Sequence, residues 1–296
     1  MTSHLFGVVG DPIAHSKSPA MHGAAYAARG LPHAYRAIRA TTEELPGLVK
    51  RLRDGHFAGL NITVPHKRRI LEYVDVLDPS AKIAGGANTL VRRPDGPIVA
   101  HNTDMPALAE ELRRLAPDAA ADAWRKAQVL VLGTGATARS AVMACACLLS
   151  VERIVVRGRS FEDERKRDQF RGEVGELLAA AGARSTLHLE PWRPSGVTEA
   201  GVTAIVQATS AGMDGADPGE TAVQAVEWSA LPKAAVALDV VYAPAFTPFA
   251  RAAAGHGLRA GNGLGMLARQ GAIAFELWLG VPAPFDVMLA ALTASV

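Results

Sequence analysis

Residues 59–67, Gly-Leu-Asn-Ile-Thr-Val-Pro-His-Lys, bring an amide, a hydroxyl and an amine close together on one short stretch. Leu60, Ile62 and Val64 alternate with Asn61 and Thr63, the period of a strand with one packed face and one polar face. Pro65 stops that strand. Lys67 then falls just past its carboxyl end, where open α/β sheets bind ligands and where a lysine withdrawn from water can exchange a proton with a substrate. The competing reading is a surface lysine opening a helix over Arg68–Val74.

A partner for that amine comes from farther along the chain. Thr89–Arg93 and Ile98–His101 are extended runs separated by Pro94-Asp95-Gly96-Pro97, the pattern of a β-hairpin with a proline-rich turn. Antiparallel return sets Asn88 roughly opposite Asn102 and gathers Asn88, Asn102 and Asp104 at one end. Asp104 also suits an N-cap, because Pro106 follows near the start of a helix over Met105–Leu115. A lysine and an aspartate converging on one alcohol form an acid–base pair that can take or return its proton.

The stretch Gly10-Asp11-Pro12-Ile13-Ala14-His15-Ser16-Lys17-Ser18-Pro19 puts two hydroxyls after a strand, at the mouth of a helix whose dipole favours an anion. A hydroxylated carboxylate suits that site. Ser18 has an alternative use as the helix N-cap, with Pro19 at the first helical position and Gly30 past the end. Ser16 has no comparable structural use. His15 and His22 lack further ligands at metal-binding spacing, and a lone histidine is more often packed and hydrogen-bonded.

Val129–Gly133 followed by Thr134-Gly135-Ala136-Thr137-Ala138 is a strand, a glycine turn and a helix start fitting G-x-G-x-x-A. Gly133 permits the tight turn, Gly135 lets backbone approach a pyrophosphate, and Ala138 is small enough for close helix–strand packing. Ala136 opens the helix on which the anion rests. NAD enzymes of this pattern carry an acid at the end of the second strand. Here that end reads Arg157-Gly158-Arg159-Ser160, two guanidiniums and a hydroxyl, the groups that a 2′-phosphate calls for. NADP is therefore the expected cofactor, with solvent-facing arginines as the alternative.

These residues need elements to hold them. Leu5–Val9, Pro19–Arg29, Tyr35–Ile38, Glu43–Asp54 and Leu60–Val64 alternate as βαβαβ, which predicts a mainly parallel sheet. Thr41 and Glu44 offer a capping box for the second helix. Strands over Gln128–Leu132, Arg153–Val156, Thr186–Leu189, Ala204–Gln207 and Ala235–Val240, interleaved with helices, predict a doubly wound second domain. Ala116–Arg125, rich in Ala and Asp and broken by Pro117, reads as a junction, and Glu162–Arg171, dense in both charge signs, as a solvated helix or loop.

The chain has 296 residues, enough for two cores, and its 49% hydrophobic and 20% charged content predicts a sizeable interior. Lys and Arg number 31 against 29 Asp and Glu. The basic residues are scattered, which argues against a nucleic-acid footprint and for a small-molecule partner. Cys145 and Cys147, two apart in an apolar helical run, cannot bridge easily and predict a reducing compartment. With no signal segment or membrane span apparent, the expectation is a soluble, cytoplasmic protein.

The residues also match a family nearly end to end: the chain resembles the shikimate dehydrogenases. His15-Ser16-Lys17-Ser18-Pro19 is similar to their carboxylate-binding serine pair, and Asn61–Lys67 to their catalytic-lysine strand. Ala87-Asn88-Thr89 and Asn102-Thr103-Asp104 resemble their Asn and Asn-Thr-Asp signatures. Gly133–Arg139 resembles the cofactor turn, and Arg159-Ser160 the phosphate clamp. Gln207–Gly212 and Asp239–Pro244 resemble loops around the nicotinamide, and Gly265–Ala272 a helix returning to the first domain with a substrate-binding Gln270.

That resemblance implies an α/β protein of two domains. Residues 1–105 form an open α/β substrate domain to which 264–296 return, and 106–263 form a Rossmann-type NADP-binding domain. It implies NADP-dependent oxidation of shikimate to 3-dehydroshikimate, run in aromatic amino-acid biosynthesis as the ketone reduction, without a metal, by a monomer or homodimer. Lys67 and Asp104 are then the proton-transfer pair. Ser16, Ser18, Asn61, Thr63, Asn88, Tyr242 and Gln270 hold substrate. Gly133, Gly135, Ala136, Arg157, Arg159, Ser160, Thr209, Val240 and Gly263 hold cofactor, which the two domains close over. Departures are Ala100 and Met105 in place of glycines flanking Asn-Thr-Asp, Gly23 in place of Asn after His22, and Gly158 in place of Asn before Arg159. Alternatives are a paralogue for quinate or an aminoshikimate, or a non-catalytic NADP-binding sensor on the same fold.

Overall fold

The computed structural model describes residues 2–119, 121–213 and 215–294; Met1, Ala120, Asp214, Ser295 and Val296 lie outside them. Twelve strands run β1 Leu5–Gly10, β2 Ala34–Arg39, β3 Gly59–Ile62, β4 Val76–Leu77, β5 Thr89–Arg92, β6 Ile98–His101, β7 Gln128–Leu132, β8 Arg153–Gly158, β9 Thr186–Pro191, β10 Val202–Gln207, β11 Val236–Asp239 and β12 Arg259–Gly261. The chain divides into two compact units, one reaching Asp104 and resuming at Leu267, the other Met105–Met266. Ala116–Arg125 is thus not the dividing point; within it Ala121–Arg125 forms a short helix of the second unit. Among the described residues no helix is long and apolar enough to cross a membrane.

The first unit is built on a sheet of order β2-β1-β3-β5-β6-β4. β1 pairs in parallel with β2 and β3, as the alternation of elements requires. β3–β5 and β5–β6 are antiparallel, so the sheet is mixed. The hairpin register places Thr89 opposite His101, which sets Asn88 beside Asn102 just beyond the ladder. β3 is buried on both faces, because Trp278 of the helix Gly263–Leu279 lies over its polar side. A Cβ on Gly59 would stand 2.2 Å from the Trp278 indole nitrogen, and that nitrogen donates to Leu90 O at 3.0 Å. The capping box is present, with Thr41 N–H donating to Glu44 Oε2 at 2.7 Å. Past Pro65 the chain forms only a 3-10 turn, Arg69–Glu72, in place of the helix expected over Arg68–Val74.

The second unit is a parallel sheet of order β12-β11-β10-β7-β8-β9. Counted from β7, that is the doubly wound 3-2-1-4-5-6 order, with its switch point between β7 and β10. β12 escaped the sequence reading because Arg-Ala-Gly at a sheet edge has no apolar alternation to show. The charged stretch expected over Glu162–Arg171 belongs to a longer helix, Glu164–Ala180, capped by Asp163. Its Phe170 is buried, with the Arg139 guanidinium 4.9 Å from the ring centre. Cys145 and Cys147 are free thiols.

His22 lies at the heart of an aromatic cluster in the first unit, stacked 4.3 Å from Tyr35, with both ring nitrogens buried and without a hydrogen-bond partner among the described residues. Burial pushes its pKa from 6.5 down to about 3. The unfolded chain therefore takes up a proton on acidification that the native state refuses, so this contribution is complete above about pH 6.5 and lost toward pH 3. Between pH 6.5 and 5 the loss is about 2 kcal/mol. Chemical denaturation at those two pH values should show it, and His22→Phe should flatten the pH dependence; an unchanged slope in the variant would refute it.

Candidate active site

Lys67 and Asp104, the pair expected to transfer a proton, meet within the first unit. Lys67 Nζ donates to Asp104 Oδ2 at 2.7 Å, with side chains 11% and 6% exposed. Lys67 is held from behind by its own backbone, since Ala87 N–H donates to Lys67 O at 2.7 Å. The buried His66 donates from Nε2 to Ala40 O at 2.8 Å. Asp104 opens the helix Asp104–Leu115. Its carboxylate faces Lys67 and Asn88, whose Nδ2 reaches Asp104 Oδ1 at 2.8 Å. An ammonium has three donors, so the pair can hold each other and still engage an alcohol.

Asn88 is the hub. Its Oδ1 accepts the Thr103 N–H at 2.7 Å, and its Nδ2 also meets Thr103 Oγ1 at 2.9 Å and Gln270 Oε1 at 3.4 Å. Gln270 is anchored in turn by donating to Leu267 O at 3.0 Å. Asn61, expected among the substrate-binding residues, is also bound into the fold. Both of its N–H groups are engaged, with Asn88 O and Thr89 Oγ1 at 3.0 Å each, and its Oδ1 accepts the Tyr35 hydroxyl at 2.7 Å. Only the remaining lone pair of Oδ1 is left for a ligand hydroxyl. Thr63 follows β3, with its N–H on Val9 O at 2.9 Å.

Ser18 is not the N-cap. Lys17 occupies that position without a side-chain cap, and Ser18 is the first helical residue. Ser16 Oγ accepts the Ser18 N–H at 3.3 Å, so the two serines form one small cluster at the helix start. They follow β1, and Lys67 follows β3. The carboxyl ends of these neighbouring strands flank the first sheet's switch point, the place the topology reserves for a ligand. His15 is exposed and apart from this network.

On the second unit, Gly133 has φ +121°, and a Cβ there would stand 2.9 Å from Thr209 Cγ2. Glycine is needed at 133 because of the backbone conformation and because the β10 loop passes so close. Gly135 is different: a Cβ would meet nothing within 4 Å. Open space above a helix start that no side chain caps is what a pyrophosphate requires at Gly135 and Ala136. Ala138 is fully buried against the sheet. A Cβ at Gly263 would lie too close to Val240 O, which makes this glycine a requirement of close packing between the start of the helix Gly263–Leu279 and the chain after β11. Tyr242 lies two residues past Val240, with burial raising its hydroxyl pKa.

Arg157 corrects the expectation that both arginines reach a phosphate. It is fully buried, its guanidinium held by Glu199 at 2.7 Å, by Glu190 and by Ala225 O. Arg157 points into the fold because it is the last but one residue of β8, where alternate side chains face the covered side of a buried sheet. Arg159, beyond the strand end, is half exposed and stands beside Ser160. Gly158 between them has a local cause: a Cβ would meet Thr134 Cγ2 at 2.6 Å. Gly23 has none, as a Cβ there meets nothing.

Two residues at strand ends, Gln207 and Asp239, enter the sequence reading only as the first residues of loop motifs, without a role of their own. Gln207 Oε1 accepts both the N–H and hydroxyl of Thr209, at 2.6 and 2.7 Å, and its Nε2 reaches Ala211 O at 3.0 Å and Asp239 Oδ1 at 3.3 Å. Asp239 accepts from Val241 N–H and the Thr247 hydroxyl, and burial raises its pKa to about 6. Together they fix the Thr209 and Val240 loops. The signal available was a polar residue closing each of two neighbouring apolar strands, β10 and β11.

Residues 8–90 match the shikimate dehydrogenase substrate-binding domain, and 263–293 match the shikimate 5′-dehydrogenase C-terminal domain. The NADP(+) shikimate dehydrogenase of Thermosynechococcus vestitus is 34% identical over 98% of this chain and 95% of its own. The chain belongs to the shikimate dehydrogenase family. The family member from Thermus thermophilus, solved with NADP(H) and shikimate, superposes with a TM-score of 0.79 at 31% identity over 99% of this chain and 100% of its own. The ligand-free 5-ketofructose reductase of Gluconobacter sp. strain CHM43 superposes at 0.83 with 27% identity, covering 100% of both. The architecture that this chain shares with the shikimate dehydrogenases thus also occurs in an enzyme named for a different polyhydroxy ketone. Met105, buried at 3% exposure next to Asp104 in sequence, and the buried Ala100 remain its departures from the family pattern on the substrate side.

Proposed function

We propose that this protein catalyses the NADP-dependent, reversible interconversion of shikimate and 3-dehydroshikimate, running in the cell as the ketone reduction of aromatic amino-acid biosynthesis. The observation that carries the reading is the buried Lys67–Asp104 pair at 2.7 Å, tied by Asn88 to the rest of the polar cluster. The residues of the second unit fit a dinucleotide with a 2′-phosphate. The uncapped helix start at Gly135 and Ala136 suits the pyrophosphate, and Arg159 with Ser160 suits the extra phosphate.

The nicotinamide, when bound, supplies or accepts the hydride. The protein's own task is to orient substrate and move one proton. In reduction Lys67 Nζ gives its proton to the oxygen of the carbonyl being reduced, and in oxidation it takes the proton from the alcohol. Asp104 holds that ammonium in place and bonds the same hydroxyl. Ser16 and Ser18 hold the carboxylate, while Thr63, Asn88, Gln270 and the remaining lone pair of Asn61 fix the ring hydroxyls. Tyr242 contributes from the nicotinamide side. The two free thiols support a reducing, cytoplasmic location.

Absorbance at 340 nm separates the readings. Shikimate with NADP should give the highest kcat/KM among shikimate or quinate paired with NADP or NAD. Preference for quinate would reassign the substrate to the paralogous activity. NADPH binding without turnover of either acid would make the protein a cofactor sensor.

A further inference from the structure

We propose that Asp217 is a specificity-determining residue that sets how strongly the chain prefers NADP over NAD, by holding Arg159 against the incoming 2′-phosphate. This inference rests on the reading of Arg159 as the phosphate clamp. Arg159 is not loose at the end of β8. Its Nη1 donates to Asp217 Oδ2 at 3.1 Å, and its guanidinium carbon lies 5.6 Å from the centre of the Trp192 ring. Trp192 is itself tied down, its Nε1 donating to Thr221 O at 3.1 Å. Thr221 returns to Asp217 through its hydroxyl, at 2.9 and 3.0 Å from the two carboxylate oxygens. Arg159, Trp192, Thr221 and Asp217 therefore close a ring of contacts around one half-exposed guanidinium.

The carboxylate in that ring is fixed in place and in charge. Asp217 Oδ1 accepts the Gly219 N–H at 3.0 Å, and this bond, the Thr221 hydroxyl and the Arg159 charge hold its carboxyl below the usual carboxylate range. At neutral pH it is an anion with no freedom to swing away. A 2′-phosphate that takes Arg159 must share the guanidinium with a resident carboxylate and accept a second negative charge nearby. A ribose hydroxyl carries no such penalty. Asp217 thus weakens the phosphate-bearing cofactor selectively, while its contact with Trp192 through Thr221 keeps the clamp assembled.

The partly exposed setting bounds the size of the effect. Arg159 is 50% exposed in its side chain and Asp217 21%, so solvent and salt screen the pair, and a change of several-fold is expected. Asp217→Asn keeps an oxygen for Gly219 N–H and Thr221 while removing the charge. Calorimetric titration at low salt should show 2′,5′-ADP binding about three- to tenfold tighter in Asp217→Asn, with 5′-AMP changed less than about twofold, and the gain should shrink in 0.5 M salt, where the Debye length is about 4 Å. The NADP-to-NAD ratio of kcat/KM should rise in step.

Equal changes for both nucleotides, or a gain insensitive to salt, would mean that Asp217 acts only on loop structure and would overturn the proposal. Arg159→Ala is the control for the clamp. It should weaken 2′,5′-ADP but not 5′-AMP, and Asp217→Asn added to it should bring no further gain. If Arg159→Ala leaves 2′,5′-ADP affinity intact, the clamp assignment itself fails. If it weakens that affinity while Asp217→Asn alone does not strengthen it, only the role of Asp217 fails.

Discussion

Lys67→Ala should lower turnover of shikimate about 10³-fold while changing its dissociation constant less than about tenfold, because a positioned proton donor, the role proposed for Lys67, contributes to the transition state far more than to ground-state binding. The separation follows from the geometry. Ser16 and Ser18, proposed to hold the carboxylate, follow β1, and Asn88 and Gln270 are bonded to each other and to Thr103 and Leu267, so none of them needs the amine for its place. What the variant removes is the ammonium that donates into this cluster.

Truncation also strands Asp104, 6% exposed in its side chain, and leaves it the Asn88 Nδ2 donor at 2.8 Å. Lys67→Met, which retains the stem and loses the charge, controls for the cavity that alanine leaves. Kinetics at saturating cofactor give kcat, and equilibrium dialysis or calorimetry gives shikimate affinity. NADPH affinity serves as the folding control, because the residues proposed to bind it belong to the second unit. A fall in affinity as large as the fall in kcat would make Lys67 a binding residue and end its role as proton donor.

Much of the site was legible because its residues break local rules. Asn61 interrupts an apolar strand and Thr63 and Lys67 follow its end, and Asn88 and Asp104 follow from hairpin register, which is a short-range property of sequence. The glycine turn was legible for the same reason: Gly133 and Ala138 answer to backbone conformation and packing within one βα unit. Illegible parts depend on partners distant in sequence. That Asn61 is spent on Tyr35, Asn88 and Thr89 cannot be seen from the strand alone. Ser18 falls one residue inside its helix, with Lys17 at the N-cap, a one-residue shift that local sequence does not mark. Gln207 and Asp239 looked like ordinary strand ends until the loops they hold were in place. β4 and β12, at two and three residues, are strands only because a neighbour pairs with them.

Arg157→Met should cost the second unit about 3–5 kcal/mol, the usual consequence of removing one member of a buried ion pair and leaving its partner charged. The guanidinium has no exposure, and Glu199, also fully buried, loses its cation outright. Glu199 retains the N–H groups of Ser195 and Glu227 as donors, and Glu190 retains the Thr198 hydroxyl, so the carboxylates stay anchored where the missing charge hurts most. Adding Glu199→Gln to Arg157→Met should recover a large part of the loss, since the stranded charge and not the lost contact dominates. Thermal and urea unfolding measure both variants. At temperatures where Arg157→Met is folded, its 2′,5′-ADP affinity should equal that of the parent, in contrast to Arg159→Ala. A variant of normal stability with weakened nucleotide binding would return Arg157 to the phosphate site and contradict the buried triad. The two arginines of Arg157-Gly158-Arg159 thus divide by strand geometry: the one within the ladder neutralises the carboxylates of Glu199 and Glu190, and the one beyond its end stays half exposed, as its proposed role at the phosphate requires.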